Sequence, residues 1–270
     1  MIDFVKRTTT IFLLFISLLV LYIYASNTGF IIFIYILSIY SFYEWNSITS
    51  KHIFFLPLFT AVISLFYYLD FINIYYLSII ILFVWIILLF SMLFISNEFK
   101  IFIRKNSTII GYLIFSSFFL LLINMYPYKI TIGSENNLID NKHYFLFLIA
   151  LISSIDILAY ISGKLFGRNN IVSSISPNKT FEGYLGSYVF TVLFFILFFN
   201  MNNLIWTYMD LFYLTAFIFL AFFGDLFMSF IKRLYSIKDT GNILPGHGGI
   251  LDRLDSYLPA LPLFYLWFMS

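Results

Sequence analysis

"IYYLSIIILFVWIILLFSMLFIS", residues 74 to 96, runs for 23 residues without one Asp, Glu, Lys or Arg. An α-helix rises about 1.5 Å per residue, so about 20 apolar residues cross the roughly 30 Å hydrocarbon core of a bilayer. The stretch reads as a transmembrane helix, and the rest of the chain follows it. Of its 270 residues, 62% are hydrophobic and 10% charged, whereas a soluble globular domain carries about 25% charged residues. The fold class is therefore all-α, a polytopic integral membrane protein. The length suits about nine transmembrane helices with short connections and leaves no room for a sizeable soluble domain.

Apolar spans are expected at 9–25, 29–43, 53–69, 74–96, 107–126, 143–163, 184–200, 208–230 and 255–269. The first lies in "MIDFVKRTTTIFLLFISLLVLYIY", which has a basic start like a signal peptide but no small-x-small cleavage site, so it is read as a retained helix. Only "ASNTG" separates it from the second span, and a hairpin dipping into one leaflet stays open as an alternative. Lys and Arg set the orientation. With the N-terminus cytoplasmic, 13 of the 15 basic residues fall on that side, and only Lys129 and Lys142 on the other. The chain then divides into N-terminal helices (1–52), middle helices with a dimerisation role (53–142) and a C-terminal catalytic region (143–270). Two cytoplasmic loops, 164–183 and 231–254, belong to that last region, while the external loop 127–142 reads as plain solvated connection. The absence of cysteine excludes disulfides, thiolate metal sites and cysteine nucleophiles. Any metal rests on oxygen or imidazole ligands, which favours hard divalent ions. The excess of Phe, Tyr, Ile and Asn fits an A/T-rich codon bias and is given no function.

The chemistry gathers in those two loops and the helices that lead into them. Asp225 lies inside an apolar span, where a charge costs roughly 2.5–3.5 kcal/mol on insertion scales. Asp252 and Asp255 are three apart at the start of the last helix and share a face. Three carboxylates near one boundary make an oxygen site for a hard cation. Mg²⁺ in particular takes one or two carboxylates plus substrate phosphates. "PGHGG" brings Gly246, His247, Gly248 and Gly249, a backbone able to approach a ligand closely and cradle phosphate oxygens. Lys232, Arg233, Lys238 and Arg253 add phosphate donors, although anchoring by the positive-inside rule also accounts for Lys232 and Arg233. In the first loop, Asp156 is again an intramembrane acid, one turn from Tyr160, and Lys164 and Arg168 sit beside Gly163 and Gly167. An interhelical hydrogen bond is the alternative role for Asp156. "SPNKTFEG" supplies Ser176 and Lys179, and its "KTFE" resembles a helix capping box with Thr180 or Asn178 at the cap and Glu182 in support. Together these features point to phosphoryl or nucleotidyl transfer at the cytoplasmic face, on a substrate with one lipid end.

"SFIKRLYSIKDTGNILPGHGGILDRLD", residues 229 to 255, resembles the signature of phosphatidate cytidylyltransferases (CDP-diacylglycerol synthases). "DILAYISGKLFGR" and "SPNKTFEG" resemble the other cytoplasmic motif of that family. One departure is Met228, where the family commonly has an acidic residue. The resemblance implies that CTP and phosphatidate react to give CDP-diacylglycerol and pyrophosphate, with Mg²⁺ and a second, monovalent cation. It also implies an all-helical membrane fold that forms a homodimer. On this reading Asp225, Asp252, Lys238, Arg253 and Asp156 are catalytic, and Asp225 and Asp252 hold metal with help from Asp255. Lys164, Arg168, Ser176, Lys179, Lys232, Arg233, Asp239, Gly246, His247, Gly248 and Gly249 would bind substrate. Membrane lipid is the expected surroundings, nucleic acid is not an expected partner, and the bacterial cytoplasmic membrane is the expected location. The rival readings are a CTP-dependent lipid kinase, a cytidylyltransferase for another lipid, and an ion-coupled transporter using Asp156 and Asp225.

Overall fold

The computed structural model describes residues 27–49, 56–69, 73–93, 96–125, 130–131, 138–139, 141–172, 175–202, 204–243 and 248–269. Unbroken apolar runs become helices: α1 (Asn27–Thr49), α2 (Leu56–Tyr68), α3 (Ile74–Leu93), α4 (Asn97–Met125), α5 (Asn141–Phe166), α6 (Phe181–Met201) and α7 (Tyr208–Leu234). A short α8 (Leu251–Leu254) and then α9 (Tyr257–Met269) follow. Among the described residues, α1 and α3 to α7 are long and apolar enough to cross a membrane, six in all. The chain is an all-helical, multi-pass membrane protein.

Nine full spans are not what the described residues contain. The expected span 9–25 lies outside them. The expected spans 53–69 and 255–269 are helices of 13 residues each, about 20 Å long and short of the hydrocarbon core. Conversely, α4 begins at Asn97, ten residues before the expected start at 107, and takes in Lys100, Arg104 and Lys105. The Ser96 hydroxyl accepts from the Phe99 amide at 3.1 Å at its start. Charges end an apolar run without ending a helix.

Two connections expected to be irregular fold back on themselves. β1 (Ile130–Thr131) pairs antiparallel with β2 (Leu138–Ile139), and β3 (Asn170–Val172) with β4 (Ser176–Thr180). Pairing gives their backbone groups the partners that no helix supplies.

Small residues set the closest helix contacts. A Cβ on Gly183 of α6 would stand 2.8 Å from the Ala159 carbonyl and 3.2 Å from the Gly163 Cα of α5. Between α1 and α4, Gly111 makes room for Trp45, whose indole donates to the Ser107 carbonyl at 2.9 Å. The last helix, α9, packs against α3, α4 and α7 and buries Ala260, Leu261 and Phe264 completely. A Cβ on Gly224 of α7 would run into the Asp255 carbonyl and the Pro259 ring, so the turn before α9 lies directly on α7. That contact carries Asp255 to the level of Asp225.

Candidate active site

Three helical segments bring three carboxylates together. Asp156 on α5, Asp225 on α7 and Asp255 between α8 and α9 lie within electrostatic range of one another, and Lys179 of β4 acts on both Asp156 and Asp255. Lys179 forms an ion pair with Asp225, its ammonium otherwise closed off from solvent. The Ser256 hydroxyl donates to Asp156, and the Ser153 and Tyr257 hydroxyls are hydrogen-bonded beside it. Asp156 keeps accessible surface although protein crowds round it on most sides. Asp255 is buried, and its Oδ1 accepts from the Ser256 amide at 2.8 Å. Asp156 stands ten residues before the end of α5 and Asp225 nine before the end of α7, roughly 15 Å and 13 Å along each axis. Both lie deeper than the loops that were expected to hold the chemistry.

Asp252 belongs to a second knot. Its Oδ1 accepts from Lys232 Nζ at 2.7 Å. Its Oδ2 accepts from the Thr240 amide at 2.9 Å and the Gly249 amide at 3.0 Å, and lies 2.9 Å from the Thr240 hydroxyl. Burial pushes the Asp252 carboxyl up, but the bonds from Lys232, Thr240 and Gly249 and the Lys232 charge reverse this, and it titrates below the ordinary carboxylate range. Gly248 has φ 79°, and a Cβ there would stand 2.6 Å from Asp252 Oδ2. Here only glycine fits, both for the left-handed backbone and for the close approach.

Glu44, on α1, was missed by the sequence reading. It is 2% exposed. Its Oε1 accepts from the Ile250 amide at 3.0 Å and its Oε2 from the Leu251 amide at 2.7 Å. The Thr240 hydroxyl lies 3.2 Å from the same Oε2 and so bridges Glu44 and Asp252. Gly241 and Gly249 leave the space that the Glu44 carboxylate fills. The signal was present: α1 runs through to Thr49, so Glu44 is an acid within a helix and not a boundary residue after a span ending at 43.

The other expected site residues divide. Lys232 joins the Asp252 knot, and Arg253 acts on Asp156. Lys238 and Asp239 are exposed on the loop, Asp239 close to Gly248. Gly246 and His247 lie outside the described residues. Ser176 opens β4 opposite Val172. Arg233 turns elsewhere, its Nε donating to the Ile175 carbonyl at 3.4 Å. Lys164 stands over the Tyr160 ring, 5.9 Å from its centroid, and the exposed Arg168 offers its backbone amide to Glu182 at 3.0 Å. Neither is among the charges acting on Asp156 or Asp255. The expected capping box is half made. The Thr180 hydroxyl caps α6 by accepting from the Gly183 amide, but Glu182 is one residue short of the reciprocal position. Instead Glu182 accepts from the Arg168 and Asn169 amides and the Asn169 side chain, clamping β3's entry to α6.

The donor set suits a hard cation. Asp156, Asp225, Asp252, Asp255 and Glu44 outnumber Lys179 and Lys232 in the two knots, and all are oxygen donors. Among the described residues no three His, Asp or Glu side chains form a ready-made metal shell.

A model of the cytidylyltransferase family matches residues 5–270. The chain is also similar to a protein named phosphatidate cytidylyltransferase from Staphylococcus haemolyticus (strain JCSC1435), 42% identical over 132 residues, 46% of this chain and 48% of the relative. The phosphatidate cytidylyltransferase of Bacillus subtilis (strain 168) is 43% identical over 125 residues, 45% of this chain and 46% of the relative. That of Staphylococcus aureus (strain COL) is 37% identical over 129 residues. The chain thus spans about half the length of the curated relatives it matches.

Proposed function

The chain belongs to the cytidylyltransferase family, and from that premise we propose that it is a phosphatidate cytidylyltransferase, converting CTP and phosphatidate to CDP-diacylglycerol and pyrophosphate. The observation that carries the reading is that Lys179 of the first motif reaches Asp225, on α7 four residues before the second motif begins. A phosphate-binding cation from that motif and a metal-binding acid from the helix leading into the other then serve one centre.

A phosphatidate oxygen attacks the α-phosphorus of CTP, and the bond to the β-phosphate oxygen breaks as pyrophosphate leaves. The nucleophile is already an anion, so no strong base is required, and catalysis is positioning and charge neutralisation. Asp225 and Asp252 would hold Mg²⁺, with Asp255 assisting and a monovalent cation as a second ion; such an ion would supply charge neutralisation at the transferring phosphoryl group. Lys179 faces the lipid phosphate, Lys238 and Arg253 face the triphosphate, and the backbone of the 246–249 turn, apart from the Gly249 amide that Asp252 engages, cradles it. Lys232 keeps Asp252 ionised and in place. The acyl chains enter between α5 and α7, beside Asp156. The active site faces the cytoplasm of a bacterium, and the protein works as a homodimer through its middle helices, whose residues Ile79, Ile80, Phe83 and Phe90 on α3 lie exposed.

The test uses the purified full chain with α-labelled CTP, phosphatidate and Mg²⁺. Label should enter lipid only with phosphatidate and metal present, and the Asp225→Asn variant should insert and fold normally but lose turnover. Transfer of γ-label to lipid identifies a kinase instead, and full activity of Asp225→Asn removes the metal assignment.

A further inference from the structure

Three cations at one end of the bundle form no ion pair among the described residues. Lys100 and Arg104, one turn apart on α4, and Arg233, in the last turn of α7, line a cavity of about 300 Å³ with Ile175 and Phe230 among its walls. Among the described residues no carboxylate lines it. The ion pairs among the described residues, Lys179 with Asp225 and Lys232 with Asp252, lie elsewhere.

Backbone contacts hold the two guanidiniums in place. Arg104 Nη2 donates to the Leu234 carbonyl at 2.8 Å, and the group lies 5.9 Å from the centre of the Tyr235 ring. Arg233 Nε donates to the Ile175 carbonyl at 3.4 Å. A guanidinium has five N–H donors, so each keeps donors for a ligand. Lys100 is the fourth residue of α4. Glu98 already answers the helix dipole in that first turn, but it is not among the residues that line the cavity. Lys232 and Arg233 are neighbours on α7 but point apart, one to Asp252 and the other to the Ile175 carbonyl, so the cavity opens on a different side of the helix from the carboxylates.

We propose that this cavity binds a phosphate-bearing anion, separate from the catalytic carboxylates, and that an anionic phospholipid head group supplies it. The volume is at the low end for small-ligand pockets, which suits a head group without its acyl chains. Ile101 and Phe102, beside Lys100, are 64% and 53% exposed and give the acyl chains an apolar surface to follow. The site goes beyond the proposed reaction and does not depend on it.

The test is native mass spectrometry of the detergent-purified full chain with phosphatidylglycerol, phosphatidylcholine or inorganic phosphate. The wild-type chain should retain phosphatidylglycerol over phosphatidylcholine. Lys100→Gln and Arg233→Gln should each weaken retention about fivefold, and Lys179→Gln should not. Lys100 makes no side-chain hydrogen bond among the described residues, so its variant keeps the fold, which a melting curve checks. Inorganic phosphate that fails to displace the lipid upholds the head-group site; phosphate that displaces it overturns the lipid as the source. Unchanged retention in a well-folded Lys100→Gln chain overturns the site. So does loss in Lys179→Gln alone, which would seat the lipid at the catalytic carboxylates.

Discussion

Glu44 holds a loop that begins almost two hundred residues after it in the chain. Removing its carboxylate leaves the buried Leu251 amide without an acceptor, at a cost of about 1–3 kcal/mol, and frees the half-buried Ile250 amide as well. Glu44→Ala should therefore lower the melting temperature, open the loop around residue 243 to protease, and raise the KM for CTP more than it lowers kcat. An unchanged melting curve and cleavage pattern would refute the tether. Asp252 makes a pH prediction. Its folded pKa lies below the ordinary carboxylate value of 3.8. Its contribution to stability is therefore complete above that value and is lost as pH falls below it toward the folded pKa. Wild-type protein should lose more of its melting temperature between pH 5 and 3 (roughly the span of carboxylate titration) than Asp252→Asn does. Equal losses would show that the Lys232 and Thr240 bonds do not favour the ionised form. Asp255 was legible in the sequence because it stands three residues after Asp252, and Asp156 and Asp225 because a charge in an apolar run needs a reason. Glu44 obeys the same rule, but its partners lie at a separation of 206 and 207 residues, which no local pattern reveals.

At the scale of elements, the crossing of α5 and α6 fixes where Lys179 arrives, since β4 leads straight into α6. Gly183→Ala places a methyl against the Ala159 carbonyl and Gly163 Cα, both backbone that cannot swing aside. Gly163→Ala meets the Thr180 hydroxyl at 3.2 Å and otherwise has room. The first should cost about 1–3 kcal/mol by overpacking and the second less, as read from paired melting curves; the reverse order would contradict the packing. The apolar helices were legible because the bilayer demands long apolar runs. The start of α4 was not: α4 begins at Asn97 and takes in Lys100, Arg104 and Lys105 ahead of its apolar run. The β3–β4 hairpin was hidden because "NNIVSSISPNKT" carries no clean alternation, and its Asn170, Val172, Ser176 and Thr180 pairings depend on the helices that bracket them.

For the whole molecule, the positive-inside count predicts an orientation that cysteine chemistry can test directly, since the chain has no cysteine of its own. Lys238→Cys should resist a membrane-impermeant thiol reagent in intact cells and react after permeabilisation, while Glu135→Cys should react in both. The opposite pattern would invert the topology and put the carboxylates out of reach of cytosolic CTP. The bridge between Glu44 and the loop also sets a timetable for biogenesis. A ribosome adding about 5–20 residues per second delivers Ile250 roughly 10–40 s after Glu44 has left the tunnel. Through that interval α1 enters the membrane with its acid unanswered. Slowing or speeding translation between these points changes how long the nascent chain offers an unsatisfied carboxylate to the quality-control proteases of the membrane.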